Sequence, residues 1–181
     1  MSWRVILACA VALVGAASAA SAQTADRLAG WRSDAGVIRD QFLSVDRSFS
    51  DAERAAALQR LDRLDADLPR LSDQQIVAPI AMVAATSQNA HTRAYLLRNR
   101  GWWRRYPIRI WPFADGWRVI AVQPGYDALL GVRLTRIGGR PIADAQRAVR
   151  PLFAGNDAWA SYMASYSLTS PDALLGVGFV G

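Results

Sequence analysis

Apolar residues recur at helical spacing along the first half of the chain and at strand spacing along the second. Leu28, Trp31, Ala35, Ile38, Phe42 and Val45 lie three and four apart, which sets them on one face of a helix. Leu58, Leu61, Leu64 and Leu68 form the stripe of a second helix. Ser50 and Glu53 open it as a capping box, and Pro69 stops it. A second box, Ser72 to Gln75, opens a third helix lined by Ile76, Ile80, Val83 and Ser87 and ending at His91-Thr92. Pro79 inside that pattern predicts a kink or a late start. Short connections make the three an antiparallel helical lobe.

The pattern changes after Gln88. Tyr106–Phe113 and Trp117–Val122 alternate as strands, and Ala114-Asp115-Gly116 turns between them. Pro107 and Pro112 cannot donate to a ladder, so the first of these strands belongs at an edge. Tyr126–Gly131 reads as one helical turn closed by glycine. Val132–Ile137 reads as a further strand, Gly138-Gly139 as a tight turn and Ile142–Val149 as a helix. Asn156 caps another helix with Trp159, Tyr162, Met163 and Tyr166 on its face, and Ser170-Pro171-Asp172 starts one more. The expected fold class is α+β: an N-terminal helical bundle, then a small β-sheet lobe with helices.

The order strand, L-G-x-x-L-x-x-I-G-G-x-P-I, helix within Asp115–Val149 resembles the core of PDZ domains. The preceding succession is Trp31 with Asp34, a leucine-rich helix, Leu68–Asp73, His91-Thr92 and Tyr106–Ile110. It is similar to the N-terminal region of tail-specific (C-terminal processing) serine peptidases, over roughly Ala25 to Leu175. One departure is Gln88-Asn89-Ala90, where that family is acidic and glycine-rich before the His-Thr pair. Patterning and resemblance together divide the chain into five expected segments: a signal peptide at 1–22, a helical lobe at 23–90, a joint at 91–105, a PDZ-like β lobe at 106–155, and C-terminal helices at 156–181. These last would lead to a catalytic domain absent from this chain. The resemblance also implies a peptide or unfolded protein as partner, held by the PDZ-like unit, with the nucleophile and lysine in that later domain. The apolar run Leu174–Val180 is then expected to lie exposed.

Composition narrows the chemistry. Arg4, the apolar run Val5–Ala17 and Ala20-Ser21-Ala22 form an export signal cleaved before Gln23, which places the mature chain in the periplasm. Cleavage removes Cys9, the one cysteine, and leaves 159 of the 181 residues, enough for a buried core. The net charge of +6 favours anionic partners. Export takes the protein away from nucleic acid and towards anionic lipid or envelope polymer. No catalytic, cofactor-binding or metal-binding set is expected. His91 is the one histidine, none of Ser165, Ser167 and Ser170 lies in a nucleophile motif, and Asp62, Asp65 and Asp67 read as a solvated helix face beside Arg60 and Arg63. Every basic residue is arginine, so no lysine can serve as the base of a Ser-Lys dyad. The candidate binding set is Arg98, Arg100, Arg104, Arg105 and Arg109 with Trp102 and Trp103, interleaved with Tyr106 and Trp111, suited to an anionic surface or alternatively packed between the lobes. The functional expectation is an exported, peptidase-like but inactive peptide-binding part. The alternatives are a stand-alone periplasmic adaptor and an envelope-associated protein.

Overall fold

Ser50 and Ser72 each start a helix by accepting the backbone N–H three residues on, while Glu53 and Gln75 reach back to the serine N–H at 2.8 and 3.0 Å. The computed structural model describes residues 23–95 and 103–180 and shows these caps within an α+β architecture. The proposed export signal lies outside the described residues. Helix α1 covers residues 23–45, α2 Asp51–Asp67 and α3 Asp73–Ala85. Among the described residues no helix is long and apolar enough to cross a membrane.

Helix α1 departs from the simple repeat. Ile38–Phe42 forms a π-turn, which inserts an extra residue per turn and rotates the following face. Leu43 is therefore the buried residue, and Val45, expected on the apolar stripe, is 69% exposed. Ala35, Leu43, Phe49, Ala57, Leu61 and Val83 pack α1, α2 and α3 together. Leu64, Leu68 and Ile76 pack with Leu28 and Trp31 at the other end. Asp62 and Asp65 of α2 are laced to α1 rather than to Arg60 and Arg63, by Arg39 at 2.7 Å and Arg32 at 3.1 Å, while Asp67 pairs with Arg70.

Helix α3 runs unbroken through Pro79, so the late start is not found. It ends at Ala85, six residues before His91. Thr86 and Ser87 explain the early stop. Their hydroxyls donate to the carbonyls of Met82 and Ala84 at 2.8 and 3.0 Å, in competition with the helix ladder. Gln88 then turns the chain with φ +55°.

Strands β1 (Ile108–Phe113) and β2 (Gly116–Val122) pair antiparallel across the Asp-Gly turn, with a register shift between Arg109 and Ile110. Strand β3 (Arg133–Leu134) completes a sheet ordered β1-β2-β3, so β1 stands at an edge as its prolines require. The expected strand Val132–Ile137 is broken. Thr135 gives its carbonyl to the Ile142 N–H at 2.9 Å, and the chain leaves the first sheet there. β4 (Arg136–Ile137) and β5 (Arg140–Pro141) form a separate hairpin, with Gly138 and Gly139 at φ +56° and +76°, a turn that favours residues free of a Cβ. Helices α4 (Ile142–Val149), α5 (Asp157–Ser167) and α6 (Pro171–Gly176) follow.

The largest core joins these parts. Ala78 and Ala81 of α3 meet Ile110, Trp117 and Val119 of the sheet, Ala145 and Val149 of α4, Ala164 of α5, and Leu174 and Phe179 near the C-terminus. Small residues let α6 approach α3 closely: a Cβ at Gly176 would sit 2.8 Å from the Gln74 carbonyl oxygen. The expectation of an exposed C-terminal run is overturned. Leu174 and Phe179 are 2% and 5% exposed, and the Arg140 guanidinium covers the Phe179 ring at 4.1 Å.

Candidate functional site

The segment entering β1 is tied to the start of α6 by one carboxylate. Asp172 is 2% exposed, and its oxygens accept the Arg104 backbone N–H at 2.6 Å, Nε at 3.1 Å and Nη2 at 2.7 Å. Ser170, the N-cap of α6, donates its hydroxyl to the Arg104 carbonyl at 2.7 Å and accepts the Ala173 N–H. The Tyr106 N–H reaches the Thr169 carbonyl at 2.8 Å. The hydrogen bonds from Arg104 hold the Asp172 carboxyl below its ordinary 3.8, against the upward push of burial.

This tie shapes a cleft of about 380 Å³ between β1 and the C-terminal end of α5. Trp103, Arg104, Arg105 and Tyr106 form one wall, Ile108, Arg109 and Ile110 of β1 with Ala121 and Val122 of β2 another, and Ser165, Tyr166 and Thr169 the third. The volume suits a few residues of an extended ligand. Trp103 is 2% exposed, and its indole N–H is buried with no acceptor among the described residues.

An aromatic ladder continues from the cleft along α5. Tyr166 and Tyr162 share a hydroxyl contact of 3.0 Å, Tyr162 packs on Trp159 at 5.3 Å between ring centres, and Trp111 of β1 meets Tyr162 at 5.9 Å. Arginines sit along it. Arg105 lies over Tyr166 at 5.7 Å, and Arg93 lies 4.8 Å from both Tyr95 and Trp159. The hydrogen bond with Tyr166 raises the Tyr162 phenol, while the charges of Arg109 and Arg93 pull it down. The aromatic residues expected as the core face of this helix are half-buried. Ala160, Ala164, Ser165 and Ser167 take the buried face.

The candidate residues divide. Arg98, Arg100 and Trp102 lie outside the described residues. Trp103 is interior, and Arg104 is committed to Asp172. Arg105 and Arg109 are exposed at the cleft and have no carboxylate partner among the described residues. Tyr106 and Trp111 stand at the cleft and on the ladder. Arg93, Trp159, Tyr162 and Tyr166 were not in the candidate set; their membership is set by packing between distant segments. His91 is exposed in a turn, its N–H held by the Asn89 side chain at 3.0 Å. That turn is fastened through Asn89 to Ser48, and through Thr92 to Ser48 and Asp46. Ser165 and Ser170 both donate to backbone carbonyls. No family model, curated protein or solved structure matches this chain.

Proposed function

We propose that this chain is an exported, non-catalytic peptide-binding protein, acting in the periplasm as the PDZ-like part of a tail-specific peptidase would. The observation that carries the reading is the cleft between an edge strand and a helix. An edge strand presents backbone donors and acceptors along its free side, and an extended peptide beside it gains main-chain hydrogen bonds. Ile108 and Val122 offer apolar contact for its side chains. Catalysis is not assigned to it. A lysine base has no candidate in the sequence, and arginine stays protonated at any working pH.

Fluorescence anisotropy with labelled unstructured decapeptides tests this. Saturable binding is expected, competed by unlabelled peptide and weakened when Ile108→Asp disturbs the cleft wall. The same peptides, incubated for hours and examined by mass spectrometry, are expected to remain intact. Absence of binding at millimolar peptide would end the reading.

A further inference from the structure

We infer that the preferred ligand of this cleft is an acidic peptide, with carboxylate side chains flanking the segment in the cleft. The inference rests on the peptide-binding reading and adds the ligand's charge.

Three arginines lie beside the cleft and its aromatic ladder: Arg105 over Tyr166, Arg109 on the cleft wall in β1, two residues before Trp111, and Arg93 over Trp159. None of the three has a carboxylate within ion-pair distance among the described residues. The nearby acid Asp172 is taken by Arg104, and Asp157 faces Arg150 at 3.6 Å. The Arg93 Nε is buried and unpartnered. Other arginines, such as Arg47, Arg63 and Arg133, also lack a carboxylate partner among the described residues; what sets Arg93, Arg105 and Arg109 apart is their place beside the cleft and its aromatic rings, where anionic groups would be received.

Arg105 and Arg109 stand at the cleft and Arg93 further along the ladder, so an extended peptide leaving the cleft along α5 passes several guanidinium groups in turn. The aromatic rings beneath reduce water around each guanidinium and hold it in place.

The test uses the full chain and three labelled decapeptides with identical apolar ends. Their upstream parts carry Asp-Ser-Asp, Ser-Ser-Ser or Lys-Ser-Lys. Anisotropy at low salt should rank acidic above neutral above basic. The acidic peptide should bind about tenfold tighter than the neutral one, the yield of two exposed ion pairs. That advantage should collapse near 0.5 M salt, where screening is nearly complete. Arg93→Gln and Arg109→Gln should each reduce the acidic-to-neutral ratio, and Arg109→Lys should keep most of it. Circular dichroism would confirm that each variant is folded. Equal binding of acidic and neutral peptides overturns this inference and leaves the peptide-binding reading standing. No binding of any peptide overturns both. Adhesion to anionic vesicles with no discrimination among the peptides would assign the arginines to a surface and overturn the inference.

Discussion

Replacing Asp172 by Asn should loosen both the fold and the cleft, because one nearly fully buried carboxylate holds the segment that enters β1. The substitution keeps the shape but removes the charge, and it turns one oxygen into an amide donor facing Arg104 donors. The Arg104 guanidinium is 76% exposed, so solvent replaces much of what it loses. The backbone contact at 2.6 Å is the larger loss. A hydrogen bond to a charged acceptor contributes about 1.5–3 kcal/mol net. The cost should be about 2–3 kcal/mol, which in a domain of this length lowers Tm by roughly 5–10 °C.

The pH dependence follows from the direction of the shift. The folded-state pKa of Asp172 lies below 3.8, the ordinary value that the unfolded chain retains. The carboxylate's contribution is therefore fully present above the unfolded value and is lost as pH falls through the folded one. Thermal melts of the wild type and Asp172→Asn between pH 7 and pH 2.5 should show a constant gap above about pH 5 that closes below 3.8. Other acids titrate in both proteins and cancel in the difference. Coincident melts at pH 7, or a gap that persists undiminished at pH 2.5, would refute the assignment of this stability to the Asp172 charge.

Gly176→Ala should destabilise the chain by about 1–3 kcal/mol, read by urea denaturation, because the new methyl meets the Gln74 carbonyl and the Ala78 methyl, both at 2.8 Å. Unchanged stability would mean that α6 does not press on α3 as described. Removing everything after Pro171 deletes buried Leu174 and Phe179, worth about 3–6 kcal/mol together, along with Asp172. The shortened chain should lose its cooperative melt, and a more soluble, equally stable product would restore the idea of an exposed tail.

Local chemistry was legible wherever a few neighbouring residues decide the outcome. Ser50, Ser72, Asn156 and Ser170 cap helices because their side chains reach a backbone N–H three residues away. Pro107 and Pro112 mark an edge strand because they lack a donor, and Gly138-Gly139 turns because both positions need positive φ. The failures share a cause. Helices α3 and α5 are buried against partners on more than one side, so their alanines and serines face the core while larger residues face elsewhere. A search for large apolar residues at helical spacing finds the wrong face of α5, since Trp159, Tyr162 and Tyr166 cover β1 and the surface beside it.

The arginine cluster shows the same limit in its chemistry. Sequence spacing groups Arg104, Arg105 and Arg109 as equals, but the fold gives them different duties. Arg104 meets a buried acid 68 positions away, and a free guanidinium at that point would leave Asp172 charged and uncompensated in the interior. Arg105 and Arg109 meet no such acid among the described residues, and Arg93, from the start of the joint, is carried onto the same ladder by its packing on Trp159. Charge density along a chain thus identifies which residues can meet an anion. Which of them remain available is set by tertiary pairing, and here the pairing of Arg104 is what separates a structural cation from the row beside the cleft.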